Sequence, residues 1–407
     1  MNQEKSNISK ISGSQLLPQE EMLDIKTKND SLIIGIPKET SYYENRIGIV
    51  PEAVKLLVDN GYKVIVEQGA GEGACFPDNE FSDAGAEIAP TAKYIFETAN
   101  IIIKVSPLST SEIELLQKGQ ALISSVHISA QSPEYFKKLA EKKVTAIGFE
   151  FIQDSADFFP LVRAVSEIAG NTSILIAAEY LANTKYGKGN MLGGFSGITP
   201  TEVVIIGAGT VGEFAARAAI GLGAMVKVFD NNLFKLRRLQ TSINSRIFTS
   251  IIHPKVLEKH LKNAHVVVGA LRNHSGRTPI VVSEEMVAKM KKGAVVVDVS
   301  IDQGGCFETS RVTSHANPVF QTHGVTHYCV PNIASRVPHT SSYALSNYLA
   351  YTTLELCELG SVELMVKTNI GFRKGVYMYK GILTNQAIGE IYNLPYQDIN
   401  LVASLWL

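Results

Sequence analysis

From residue 33 onward, short runs of β-branched and aliphatic residues alternate with helix-length amphipathic stretches. Ile33–Ile36, Lys63–Glu67, Ile101–Val105, Ala121–Ser125 and Thr145–Gly148 predict strands, with helical segments such as Pro51–Asn60 between them. That alternation predicts a parallel sheet covered by helices. A long helix is predicted from about Leu161 to Thr184, and a second series of strands follows: Glu202–Ile206, Met225–Phe229, Val266–Gly269, Ala294–Val299 and Thr326–Val330. These are nearly continuous apolar runs, the pattern of strands buried on both faces. Ser341–Gly360 reads as another helix, and the tail after it has too few strands for a domain of its own, so it is expected to pack back onto the first. Residues 1–30 read as a polar surface extension with one short helix at Gln19–Ile25, to which no function is attached.

A length of 407 residues implies two or three domains rather than one core. With 45% hydrophobic and 19% charged residues the chain has the balance of a packed globular protein. A net charge of −1 argues against nucleic acid as a partner, because neutralising phosphates needs a surplus of Lys and Arg. No apolar run approaches the ~18–20 residues that cross a bilayer, and the polar N-terminus lacks a secretion signal. A cytoplasmic protein with no membrane partner is expected. Cys75, Cys306, Cys329 and Cys357 are scattered singly, so neither a disulfide framework nor a metal site is signalled and buried, reduced thiols are expected.

The segment Thr201-Glu-Val-Val-Ile-Ile-Gly207-Ala208-Gly209-Thr210-Val211-Gly212 runs from a buried strand through a glycine turn into a helix. A lone G-x-G-x-x-G is weak evidence; in this context it predicts a dinucleotide site. Gly207 permits the tight turn, Gly209 lets a pyrophosphate approach the backbone, and Gly212 lets helix and strand pack closely. The helix N-terminus adds N–H groups and positive partial charge. The next strand ends in Asp230, 18 residues after Gly212, where an acid accepts hydrogen bonds from the adenosine ribose. Its charge would repel a 2′-phosphate, which favours NAD over NADP, although Lys235, Arg237 and Arg238 just beyond temper that choice.

Hydride transfer from an amino acid needs a carboxylate clamp, a proton-transfer group and a dry pocket beside the nicotinamide. Ligands of doubly wound sheets bind at the carboxyl ends of strands. Arg46, in the loop after the first strand, Lys104, after three isoleucines, and His127, after the strand Ala121–Ser125, meet that condition. In the second half, Asp302 falls in the loop after Val295-Val-Val-Asp298, while Asp298 itself reads as a structural hydrogen-bond acceptor. Spacing alone does not choose among these groups: Arg46 suits a solvated loop equally well, and a histidine near a core is more often packed than catalytic.

At these residues the sequence resembles the alanine dehydrogenases, a family related to the soluble NAD-binding component of proton-translocating transhydrogenase. The resemblance runs from about Ile33 to Pro395. It is carried by Gly35-Ile-Pro-Lys-Glu with Asn45-Arg46, Gly69-Ala-Gly-Glu-Gly-Ala, Ser166-Glu-Ile-Ala-Gly170, the Gly207–Gly212 turn and Ile301-Asp-Gln-Gly-Gly-Cys-Phe-Glu308. It implies an α/β fold of two doubly wound domains, a Rossmann NAD-binding domain (161–335) inserted in a discontinuous substrate domain (31–160 and 336–407). It further implies reversible NAD-dependent oxidation of L-alanine to pyruvate and ammonium, with substrate held by Arg46 and Lys104, His127 as acid–base group and Asp302 beside the substrate. Cofactor contacts are implied at Ser166, Gly207, Ala208, Gly209, Thr210, Val211, Gly212, Asp230, Lys235, Leu271, Val299, Asp302, Arg311 and Asn332, and the implied assembly is a homohexamer.

The chain departs from the family pattern at Val105-Ser-Pro107, where Val-Lys-Glu-Pro is common, and at the unusually polar loop Leu271–Thr278. Asn332–His339 blends the two branches of the family. Two alternatives follow from these features: a transhydrogenase-like subunit that binds NAD(H) and passes hydride to a partner, or a dehydrogenase of another amino acid such as lysine or saccharopine. The first predicts a Gln where this chain has Glu167, and an Arg-Gln-Asp loop that is missing from Arg163-Ala-Val-Ser-Glu-Ile-Ala-Gly170.

Overall fold

A computed structural model describes residues 32–41, 44–273 and 277–405. The helix expected at Gln19–Ile25 lies outside them. Strands β1 (Ile33–Ile36), β2 (Lys63–Glu67), β3 (Glu87–Ala89), β4 (Ile101–Ile103), β5 (Ala121–Ser124) and β6 (Thr145–Gly148) form a parallel sheet in the order β3-β2-β1-β4-β5-β6. A second sheet holds β7 (Glu202–Ile206), β8 (Met225–Phe229), β9 (Phe248–Ser250), β10 (Val266–Gly269), β11 (Val295–Asp298), β12 (Val319–Thr322) and β13 (Val325–Tyr328). Its order is β9-β8-β7-β10-β11-β13-β12, parallel except for β12. The tail returns to the first sheet, where β14 (Val376–Tyr379) pairs antiparallel with β6 and β15 (Ile382–Leu383) with β14.

Both sheets are apolar on both faces. In the first, Ile34, Ile101, Ile103 and Ile123 enter one core, while Ile65, Ile102, Leu122 and Ala146 enter the core on the opposite face. In the second, Val203, Ile205, Val266 and Val295 face one side, and Val204, Ile206, Val267 and Val296 the other. Alternate residues serve opposite layers of helices, so these strands read as unbroken hydrophobic runs.

The winding reverses between β1 and β4, and between β7 and β10. Where two neighbouring strands send their connections to opposite faces, a crevice opens beyond their carboxyl ends. The loops carrying Arg46 and Lys104 leave one such crevice; the glycine turn and the loop at Leu271 leave the other.

The helix Pro160–Ala182 has the length and mean hydropathy (1.2) to span a bilayer, which narrows the expectation that no segment approaches this. It is a core helix: Ala169, Gly170, Ile174, Ile176, Ala177 and Leu181 are buried, and it packs on helices Thr210–Gly221 and Pro338–Leu359. Three thiols are buried as expected, whereas Cys75 is exposed in a tight loop.

Candidate active site

The loop after β1 is fixed from the far end of the chain. Ser342 and Ser346 of helix Pro338–Leu359 accept hydrogen bonds from the amides of Ile47 (3.0 Å) and Val50 (3.1 Å). Ser335 Oγ accepts from the Asn45 amide at 3.1 Å. Held this way, Arg46 is buried rather than solvated, and its guanidinium grips Glu44 through Nε (2.7 Å) and Nη2 (2.6 Å). Burial pushes the Glu44 carboxyl up, but the adjacent Arg46 outweighs it and holds the group below its ordinary value.

Lys104 is fully buried. Burying an ammonium is costly unless it is paired, and its Nζ lies 2.5 Å from Glu112 and 3.7 Å from Glu39. Glu112 is itself anchored, since it closes a capping box with Ser109 at the start of the following helix. Glu39 accepts from the amides of Val105 (2.6 Å) and Ser106 (3.3 Å), and from the Ser106 hydroxyl. The departure at Val105-Ser-Pro107 therefore supplies a ligand to the carboxylate beside Lys104.

His127 follows β5 and stands at the left-handed conformation φ 48°, ψ 59°. The imidazole meets solvent in the cleft, yet protein mass crowds around it; that desolvation, and then the charge of Arg46, push its pKa below the ordinary value. Arg46 is the cation that acts on His127. The Lys104 charge is neutralised at close range by its two carboxylates.

Across the cleft, Asp302 sits in the turn Val299–Gln303 that follows β11. Its Oδ1 accepts from the Asn332 amide at 2.9 Å, and Asn332 Nδ2 donates to Glu44 at 2.9 Å. One chain of contacts thus joins Arg46 of the first sheet to Asp302 of the second. Asp302 is open to the cleft but flanked by protein; desolvation raises its pKa, opposed by the Asn332 amide and by Arg46 and Arg272. Asp298 accepts from the amides of Ser300 (3.0 Å) and Cys306 (3.0 Å) and from Ser310 Oγ (2.6 Å), so it shapes this turn.

At the end of β7, Gly207 has φ 119° and its added Cβ would meet the Ala270 carbonyl at 2.3 Å. A Cβ at Gly212 would fall 1.9 Å from the Gly207 carbonyl, whereas one at Gly209 meets nothing within 4 Å. Two glycines are thus required by close packing, and the third borders open space. Helix Thr210–Gly221 starts there with no side-chain cap, leaving its first amides to a ligand. Asp230 is buried and accepts from the amides of Ala208 (2.7 Å) and Asn232 (2.7 Å). Ser166 lies one turn before Gly170, where the long helix crosses Val211 so closely that a Cβ would meet its carbonyl at 2.5 Å. These features fit a dinucleotide: Gly209 and the uncapped amides of the helix would hold its pyrophosphate, and Asp230 would accept from its adenosine ribose.

Family models match both halves of the chain: "Alanine dehydrogenase/PNT, N-terminal domain" over residues 35–169 and "Alanine dehydrogenase/PNT, C-terminal domain" over 173–386. The chain belongs to this family. An alanine dehydrogenase from Methanococcus maripaludis is 41% identical over 366 residues, covering 90% of this chain and 98% of that protein. A solved L-alanine dehydrogenase superposes with a TM-score of 0.84 at 35% identity, over 89% of this chain and 99% of the other. A solved transhydrogenase from Sinorhizobium meliloti follows at 0.73 and 25%, over 87% and 99%. Membership in the family carries with it the two-domain α/β fold and a nicotinamide cofactor.

The structure gathers Arg46, His127, Asp302 and Asn332 at one cleft, with Leu271 held by Ser300 Oγ (2.9 Å) and Val299 in the turn leading to Asp302; Lys104 is buried behind Glu39 and Glu112 with no exposed side-chain surface. Lys235 lies half-buried on the helix that follows Asp230. Arg311 is exposed at the β12 edge, its guanidinium 4.2 Å from the Phe320 ring centre. Sequence reasoning missed Glu39, Glu44, Glu112 and Glu150, the carboxylates that hold the candidate groups. Glu112 had a local signal in the Ser109-Thr-Ser-Glu112 capping pattern, and Glu39 closes the Gly35-Ile-Pro-Lys-Glu39 motif.

Proposed function

We propose that the chain catalyses the reversible oxidation of L-alanine by NAD and water to pyruvate, ammonium and NADH. The observation that carries this reading is the cleft itself: Arg46 and His127 from the first sheet face Asp302 and Asn332 beyond the second, with the ammonium of Lys104 buried behind Glu39 on the same side. Arg46 and Lys104 bind the substrate's carboxylate and carbonyl oxygens, with Glu44, Glu39 and Glu112 holding both cations in place. His127, kept neutral near pH 7 by its lowered pKa, takes a proton from the amine and passes it to solvent; it then takes one from the attacking water and returns it to the amine as ammonia leaves. Asp302 stabilises the positive charge that develops at the substrate nitrogen and orients Asn332 through its amide. The bound cofactor supplies the hydride acceptor; NAD is favoured over NADP by Asp230.

The same reading divides the chain into residues 31–160 with 336–407 around the substrate and 161–335 around the cofactor, in a cytoplasmic homohexamer. The deciding experiment is a panel of amino acids assayed for NADH formation at alkaline pH, with pyruvate plus ammonium run in reverse. Faster turnover of lysine or glutamate than of alanine would overturn the substrate assignment.

A further inference from the structure

We propose that Glu150 is a positioning residue for proton transfer: its Oε1 accepts from the amides of Val126 (2.7 Å) and His127 (3.3 Å) and so fixes the turn that presents the imidazole to the cleft. This rests on His127 being the acid–base group.

The topology explains why a side chain does this work. Strands β5 and β6 run parallel with Ser124 opposite Gly148, and both ladders stop there. Val126 lies two residues beyond the end of β5, and Glu150 two residues beyond the end of β6. The chain turns away after β6 into Phe149–Phe151, so main-chain pairing ends and the Glu150 carboxyl substitutes for the next carbonyl in the ladder. That substitution lets His127 leave the sheet. Its left-handed backbone (φ 48°, ψ 59°) is strained for a residue with a Cβ and persists only where neighbours over-determine it. The rest of the loop is also held: the Ala130 amide donates to the His127 carbonyl (2.8 Å) and Gln131 Nε2 to the Val126 carbonyl (3.0 Å). Tyr392, from the tail, donates to the Ile128 and Gln131 carbonyls. The two amides that set the His127 backbone are left to Glu150.

Glu150 Oε2 is sealed from solvent and has no hydrogen-bond partner among the described residues. Burial raises the carboxyl's pKa, opposed by the amides of Val126, His127 and Glu150 itself and by Arg272. A glutamine at this position keeps one carbonyl-type acceptor for the same two amides.

The test is Glu150→Gln and Glu150→Ala in the full chain, beside His127→Ala, with kcat, alanine KM, NADH affinity and melting temperature from one preparation. Glu150→Ala is expected to lose kcat about tenfold or more, as misplacement of a reacting group does, with alanine KM and NADH affinity little changed. Glu150→Gln should restore kcat to within about threefold of wild type, because it keeps the acceptor. Wild-type kcat in Glu150→Ala, or a Gln variant as impaired as the Ala variant, would overturn the proposal. Should Glu150→Ala fail to fold, Glu150→Asp, too short to reach both amides, takes its place with the same expectation. Full kcat in His127→Ala would remove the underlying reading instead, whereas loss in His127→Ala with none in Glu150→Ala removes only the positioning role.

Discussion

Glu112→Ala tests whether the buried Lys104–Glu112 ion pair is a structural keystone. Glu112 is 4% exposed and Lys104 1%, and their charged atoms are 2.5 Å apart. Removing one partner of such a pair costs about 3–5 kcal/mol, because the remaining charge is stranded without solvent. Glu39, 3.7 Å from the ammonium, compensates in part, which puts this contribution near the lower end, about 3 kcal/mol. Glu112 also accepts from the Ser109 amide (2.7 Å) and hydroxyl (2.7 Å), and loss of the capping box adds about 1 kcal/mol. For a unit of this size, roughly 4 kcal/mol corresponds to a melting temperature lowered by on the order of 10 °C. Thermal melts followed by circular dichroism would measure it. Glu114→Ala is the control: two residues along, Glu114 pairs with Lys138 at 3.4 Å on the surface, where a pair contributes at most about 1 kcal/mol. A Glu112→Ala shift below about 3 °C, or one equal to the control, would refute the argument that Lys104 depends on this carboxylate.

His127→Ala should lower kcat by roughly 10²–10⁴ while leaving NADH affinity nearly intact. In the wild type, kcat/KM for alanine should fall on the acid side with an apparent pKa below about 6.5, because desolvation and Arg46 disfavour the protonated ring; an acid limb at or above that value would contradict the site's electrostatics. Asp230→Ser should shift the ratio of kcat/KM for NAD and NADP toward NADP, on the proposal that Asp230 reads the ribose, and also weaken NADH binding, because the carboxylate braces the Ala208 amide of the glycine turn; an unchanged ratio would show that Asp230 does not read the 2′ position. His327 is wholly buried, with its pKa pushed down to about 4 by desolvation. Between about pH 6.5 and that value the unfolded chain binds a proton that the folded chain refuses, so stability is present above the window and is lost as pH falls through it, by up to about 3 kcal/mol. His327→Gln should flatten that acid limb in denaturant titrations, and an unaltered limb would remove His327 as its cause.

Local pattern carried much of the architecture. Ile33–Ile36, Lys63–Glu67, Thr145–Gly148, Glu202–Ile206, Met225–Phe229 and Val266–Gly269 form with the boundaries that the apolar runs predict. Ile101–Val105, Ala121–Ser125, Ala294–Val299 and Thr326–Val330 form shifted or shortened by one or two residues. Short edge strands were not legible, because β3, β9 and β12 have half-exposed, mixed residues and gain their pairing only from a neighbour already in place. Strands β14 and β15 were missed for the related reason that Val376–Tyr379 pairs with β6, more than 200 residues earlier.

The glycine turn, its strand and Asp230 declare a dinucleotide site within thirty consecutive residues, because tight turns and helix N-termini are local chemistry. The reacting site is different. Arg46, Lys104 and His127 are ordinary residues in sequence, equally consistent with a surface loop or a packed core. Tertiary structure decides them, by drawing the carboxyl ends of β1, β4 and β5 to one cleft and by placing Glu44, Glu112, Glu150 and the serines of Pro338–Leu359 around them. A hydrogen bond from Asn332 to Glu44 spans 288 positions, a separation over which no periodicity or motif carries information. The sequence by itself determined which layers form and where a nucleotide can lie; which polar residues are buried, paired and shifted in pKa was decided by the fold, because desolvation and ion pairing depend on neighbours in space.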